Sequence, residues 1–135
     1  MLKVAVIGLG WWGRIIVDVL SRSDRLQVVR VVDIGEAGRA FAAERSLPFS
    51  TRFEEALADP AVQGVVLCTP HTLHTDQIVA AAQAGKHVFC EKPLSMTRAD
   101  VLRASAAVDR AGVTLAVGHE KRFEPPILEL MRLLQ

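Results

Sequence analysis

The sequence predicts an α/β fold: a doubly wound parallel sheet of about six strands with helices on both faces. Three observations predict it. Short apolar runs rich in β-branched residues alternate with segments of helical spacing along almost the whole chain. The apolar runs lack the in-out alternation of a half-exposed sheet, as strands covered on both sides should. Glycine-rich and polar clusters fall at the carboxyl ends of these runs, the edge at which open parallel sheets bind ligands.

Each element follows from its own signals. Val4 to Ile7 is the first strand, closed by Gly8. Trp12 to Leu20 follows as a helix in which Ile15, Ile16, Val19 and Leu20 share a face. Gln27 to Val32 is the second strand, and the alanine-rich Ala37 to Arg45 the second helix. Pro48 confines the third strand to the neighbourhood of Phe49. Phe53 to Ala58 forms a short helix ended by Asp59-Pro60. Val65 to Cys68 is the fourth strand, stopped by Thr69-Pro70. Thr75 to Ala84 is helical, with Gly85 in the stop position, and His87 to Cys90 is the fifth strand. Thr97 caps a helix that runs to about Arg110, with Asp100 standing where a Glu or Gln is usual, and Gly112 ends it. Val113 to Val117 is the sixth strand, and helical spacing resumes from Pro125 to Gln135 without a stop signal.

Composition narrows the class of function. A chain of 135 residues allows one domain, and 50% hydrophobic content with 23% charge excludes a disordered one. Sixteen basic residues stand against fifteen acidic ones, so no net field draws the chain to nucleic acid or an anionic membrane. No run approaches the roughly 18 apolar residues of a membrane helix, and the apolar run ending at Gly8 is too short for a secretion signal. Cys68 and Cys90 make neither a disulfide framework nor a metal set, and read as inert buried thiols. A cytoplasmic protein is expected, with no metal and no membrane or nucleic-acid partner.

Gly8-Leu9-Gly10-Trp11-Trp12-Gly13 fits G-x-G-x-x-G between the first strand and the first helix. In that place Gly8 permits the tight turn, Gly10 lets backbone approach a pyrophosphate, and Gly13 lets helix and strand pack closely. Free amides at the helix start would meet the phosphates. A ligand-free tight turn is the other reading. Asp33 ends the second strand at the spacing of the carboxylate that holds the adenosine ribose, which favours NAD over NADP. A helix-capping or solvated acid is the alternative there. Ile34 is placed to pack on the adenine. Arg39, inside the next helix, is expected to face solvent. One of Trp11 and Trp12 covers a ligand and the other anchors the helix; the sequence does not assign which.

Three polar clusters follow strands four, five and six: Cys68-Thr69-Pro70-His71-Thr72-Leu73-His74, Glu91-Lys92-Pro93, and Gly118-His119-Glu120-Lys121-Arg122-Phe123. Together with the glycine loop, the segments TPHTLH, EKPL and VGHEKRFEPP resemble the Gfo/Idh/MocA oxidoreductases, from Val4 to about Pro126. The resemblance implies a Rossmann domain over residues 1–122. It implies that residues 123–135 begin a connection to a second, substrate-binding domain. It implies a nicotinamide cofactor, which the Asp33 carboxylate narrows to NAD, with NADP less expected, and hydride transfer to or from a hydroxyl-bearing carbon of a sugar, cyclitol or related polyol. It implies a homo-oligomer.

Residue by residue, the resemblance makes Lys92 the catalytic group that holds the reacting hydroxyl and moves its proton. Glu91 and Pro93 join it at the cofactor, and Thr69 and Pro70 line the nicotinamide side. His74 matches a recurrent family histidine. His71 stands where the family commonly has Asn. His119 and Arg122 fall on the substrate side. The family's second-domain Asp-x-x-x-His segment does not occur in these 135 residues. Length and the unstopped final helix thus lead to the expectation of the cofactor half of a longer enzyme. The alternative is a nicotinamide-binding module that senses redox state or serves a partner.

Overall fold

Six parallel strands form one sheet in the order β3-β2-β1-β4-β5-β6. A computed structural model describes residues 1–134; the expected helical position Gln135 lies outside the described residues. In chain order the elements are β1 (Leu2–Ile7), α1 (Trp11–Leu20), β2 (Leu26–Val32), α2 (Glu36–Glu44), β3 (Phe49–Ser50), α3 (Phe53–Ala58), β4 (Gly64–Leu67), α4 (His74–Gln83), β5 (His87–Cys90), α5 (Arg98–Ala111), β6 (Leu115–Val117) and α6 (Pro125–Leu133). Short 3-10 turns, His71–Leu73 and Glu120–Phe123, precede α4 and α6.

Alternate strand residues divide the interior into two cores. Ala5, Ile7, Val65, Leu67, Val88 and Cys90 pack with Ala56 of α3, Ile78 and Ala81 of α4, and Ala104 and Val108 of α5. Val4, Val6, Val31 and Val66 pack with Val17 of α1 and Phe41 and Ala42 of α2. Burial on both faces accounts for the near-continuous apolar strands, since each fully buried Val or Leu stabilises the fold by about 1.5–3 kcal/mol.

The helix boundaries carry their signals. Thr97 Oγ1 accepts the Asp100 N–H at 3.1 Å. The Asp100 carboxylate in turn takes the Thr97 hydroxyl hydrogen at 2.8 Å, rather than reaching back to a backbone N–H as a capping box does. The side-chain phase of α1 differs from the sequence expectation. Gly13 and Val17 are buried, Ile16 and Leu20 are partly covered, and Val19 is 59% exposed. Gly13 is wedged against the Gly8 carbonyl just after β1, which fixes the rotation. At 3.6 residues per turn Val19 then falls about 120° away from it. β6 also begins later than expected, because the Val113 N–H returns to the Val108 carbonyl at 3.3 Å and completes the exit from α5.

Helix α6 packs chiefly on the turn before it, leaving Ile127, Leu128, Leu130 and Met131 exposed. Beyond α1, the sheet face carrying Val4, Val66, Phe89 and Ala116 forms an open apolar groove. Among the described residues no helix is long and apolar enough to cross a membrane.

Candidate cofactor-binding site

Register builds the site before any side chain does. Ile7 pairs with Leu67, Leu67 with Cys90, and Cys90 with Val117. The next residues, Gly8, Cys68, Glu91 and Gly118, therefore stand in one row along the carboxyl edge. Backbone bonds continue the ladder into that row: Cys68 N–H donates to Ile7 at 2.8 Å, Glu91 N–H to Leu67 at 3.0 Å and Gly118 N–H to Cys90 at 2.9 Å. On the other side Gly8 N–H donates to Val32 at 2.8 Å, next to Asp33. The strand order reverses between β1 and β4, so the loops after them flank the crevice where such sheets take ligands.

The three loop glycines have different reasons. Gly8 has φ +91°, the left-handed region, and a Cβ there would lie 2.8 Å from the Cys68 carbonyl oxygen. A Cβ on Gly13 would lie 1.9 Å from the Gly8 carbonyl oxygen. The protein's own packing thus requires both. Gly10 has an ordinary φ of −62°, and a Cβ on it would meet nothing within 4 Å. It begins α1 with no side-chain cap over the first amides, which leaves open space at a positive helix end.

Asp33 reaches under this loop. Its Oδ2 accepts the Leu9 N–H at 2.5 Å and its Oδ1 accepts the Gly35 N–H at 2.7 Å. The carboxylate therefore shapes both the glycine loop and the start of α2, and each oxygen keeps acceptor capacity for another donor. The Leu9 side chain is buried, so only its backbone belongs to the site. Ile34 is 92% exposed beside Asp33. Arg39 lies over the Phe49 ring at 4.8 Å and 3.5 Å from Glu36, half exposed as expected.

Across the crevice, Trp11, Trp12, Cys68, Thr69, His71, Glu91, Lys92 and Glu120 line one hollow. The two indoles stand 5.6 Å apart with their planes at 39°. Trp11 is 76% exposed, while Trp12 is packed and its Nε1 is buried without a partner among the described residues. Glu91 is buried; its Oε2 accepts the Lys92 N–H at 3.3 Å, and its carboxylate lies so close to Gly118 that a Cβ there would sit 2.8 Å from Oε1. Lys92 Nζ is 4.0 Å from Glu120 Oε1 and half exposed, and the Lys92–Pro93 peptide is cis. Burial first, and the Glu91 carboxylate second, push the Cys68 and Cys90 thiols up to about 12, so both stay protonated.

Some expected site residues lie elsewhere. His74 is wholly buried with both ring nitrogens on backbone carbonyls, so it stands behind the site and presents no surface to a ligand. His119 and Arg122 line a separate hollow with Phe123, Leu128 and Met131. Their neighbour Glu120 is the residue of that cluster that meets Lys92. Sequence reasoning passed over Glu120, and only its position between His119 and Arg122 pointed to it. Pro70 and His71 are exposed, with His71 lining the hollow, and Thr69 donates from Oγ1 to Gln77 at 2.5 Å. No cluster of metal-ligating side chains occurs among the described residues.

An oxidoreductase family described as an NAD-binding Rossmann fold, GFO_IDH_MocA, matches residues 2–119. The chain belongs to this family. Among the similar Gfo/Idh/MocA proteins is the scyllo-inositol 2-dehydrogenase (NAD(+)) of Bacillus subtilis, 34% identical over 135 residues, which cover 96% of this chain and 39% of that one. The scyllo-inositol 2-dehydrogenase (NADP(+)) IolW of the same organism is 31% identical over 140 residues, covering 98% and 37%. The crystal structure of an NAD-binding protein from Listeria innocua superimposes with TM-score 0.93 at 32% identity, covering 98% of this chain and 40% of that one. The chain thus spans about two fifths of the length of these Gfo/Idh/MocA relatives. The open space at Gly10, the uncapped amides of α1 and the Asp33 carboxylate fit the diphosphate and ribose of a nicotinamide dinucleotide. With relatives named for either coenzyme, the family establishes NAD(P) as the ligand class.

Proposed function

We propose that residues 1–122 are the NAD-binding half of a dehydrogenase acting on a hydroxyl-bearing carbon of a sugar, cyclitol or related polyol. Residues 123–135 begin the connection to a substrate domain. The observation that carries this reading is Gly10: nothing in the protein requires a glycine there, whereas a pyrophosphate against the first turn of α1 does.

Asp33 favours NAD, because a carboxylate accepts from both ribose hydroxyls and repels a 2′-phosphate. Gly8, Gly10, Gly13 and the amides of Trp11 and Trp12 hold the diphosphate. Ile34 flanks the adenine, Thr69, Pro70 and His71 border the nicotinamide, and Glu91 and Pro93 shape the loop that presents Lys92. Bound NAD supplies the hydride acceptor. Lys92 holds the hydroxyl of the carbon that loses hydride and passes on its proton. The two relatives acting on scyllo-inositol support a cyclic polyol as the substrate class. The complete protein is read as a cytoplasmic homo-oligomer, which mass measurement by light scattering checks.

The direct experiment is fluorescence titration of this chain with NADH and NADPH. Binding of NADH at lower concentration than NADPH supports the reading. Binding of neither removes it, and a preference for NADPH removes its coenzyme choice. A second reading, a nicotinamide-binding module without turnover, is favoured by the exposure of Lys92 to solvent in this chain. Oxidation of a cyclitol by the chain alone would exclude it.

A further inference from the structure

The first turn of α4 ties together the two loops that border the nicotinamide side. His74 is completely buried, with Nδ1 2.9 Å from the Pro93 carbonyl oxygen and Nε2 3.0 Å from the Thr69 carbonyl oxygen. Both partners are carbonyls, which only accept. The ring therefore bridges two backbone acceptors, and its polar atoms are committed to this pair of loops rather than to a ligand. The neighbouring contacts run the same way: the Thr75 hydroxyl is hydrogen-bonded to the Ser95 hydroxyl, and Thr69 Oγ1 donates to Gln77 Oε1 at 2.5 Å. Three residues of α4 therefore hold the loop after β4 and the loop after β5, and Lys92 immediately precedes the clamped Pro93.

We propose that His74 is a positioning residue: its ring, with one nitrogen against the Pro93 carbonyl and the other against the Thr69 carbonyl, fastens the Thr69 loop to the Lys92 loop and so fixes the nicotinamide wall against the proton-handling amine. This rests on the reading of Lys92 and Thr69 given above. His71 meets the ring edge-on at 5.6 Å; Glu91 and Lys92 precede the clamped Pro93 in sequence, and Asp76, two residues on in α4, pairs with Arg103 of α5. The donor pattern distinguishes His74 from a packing residue, because an apolar side chain of the same size would fill the space and leave two carbonyls unmatched.

Two measurements test it on the full chain. In a nitrogen-15 labelled sample, the assigned His74 ring N–H is expected to exchange slowly with water and to show a coupling across its hydrogen bond to the Pro93 or the Thr69 carbonyl carbon. A rapidly exchanging ring N–H without such a coupling overturns the clamp, and this arm needs no variant and no ligand. In H74Q, which retains a donor but cannot span both carbonyls, ADP-ribose is expected to bind within about twofold of the parent. NADH, which also uses the nicotinamide side, should weaken about tenfold. Equal loss of both ligands, or loss of neither, overturns the positioning role. If the parent chain binds neither nucleotide, the functional reading fails, while the ring-nitrogen measurement still decides whether the clamp exists.

Discussion

Leu9 donates its backbone N–H to Asp33 Oδ2 at 2.5 Å, joining the glycine loop after β1 to the carboxylate after β2. The other carboxylate oxygen takes the Gly35 N–H at 2.7 Å, so Asp33 fixes two loops before any ribose arrives. Acceptance of a ribose diol would then use lone pairs that these amides leave free, with little reorganisation.

Replacing Asp33 by Asn keeps the side-chain shape and removes the charge. Hydrogen bonds to charged groups contribute about 1.5–3 kcal/mol, so NADH affinity should fall roughly 10–100-fold. NADPH, relieved of charge repulsion at its 2′-phosphate, should lose less. Parallel titrations of D33N with both coenzymes check this. An equal loss for both would mean that the carboxylate only builds the loop.

Gly10 and Gly13 should separate binding from folding. In G13A the new Cβ overlaps the Gly8 carbonyl, where the nearest atom lies at 1.9 Å. Such overpacking costs about 1–3 kcal/mol or more, visible as a lower urea midpoint. G10A meets no protein atom within 4 Å, so its unfolding midpoint should stay close to the parent's while NADH binding weakens. A destabilised G10A with intact binding would remove the ligand-based reason for that glycine.

Where the chain itself carries the pattern, the sequence was readable. The strands announce themselves through runs such as Val65 to Cys68, where the observed strand Gly64–Leu67 is buried along its whole length, and the glycine loop and Asp33 through spacing that register then brings together. Tertiary packing decided the rest. Val19 looked like a core residue because the phase of α1 is set by the contact of Gly13 with Gly8, which no helical period contains. His74 is expected in the site because it matches a histidine that recurs in the family's segment. Its burial depends on the loop after β5, nineteen residues further on. Glu120 stood unnoticed between His119 and Arg122 because direction within a short 3-10 turn is not encoded in spacing.

Lys86 offers a stability test remote from the site. It is buried, and its Nζ donates to the Asp59 carbonyl at 3.0 Å and the Val62 carbonyl at 2.7 Å, holding the link between α3 and β4. K86M keeps the aliphatic stem and leaves both carbonyls unmatched. A loss of about 2–4 kcal/mol in urea unfolding is expected, with NADH affinity unchanged once folded. Unfolding like the parent's would show that water replaces the ammonium at no cost.

The two thiols set an alkaline limit. Cys68 and Cys90 are pushed up to about 12 by burial and the Glu91 carboxylate, whereas an unfolded thiol titrates near 8.5–9. Their contribution to stability is fully present below the unfolded value. As pH rises from about 9 toward 12, the unfolded chain releases protons that the folded chain keeps, and stability falls by up to about 1.4 kcal/mol per pH unit for each thiol. The chain has no tyrosine, so lysines are the main other groups titrating there. Urea unfolding across that range should show a steep decline in the parent and a shallower one in C68A and C90A. Equal slopes in all three would mean that the thiols are not held protonated. Iodoacetamide gives an independent reading at pH near 8. Alkylation of the folded chain should be about a thousandfold slower than that of the urea-unfolded chain, since thiolate is the reacting form.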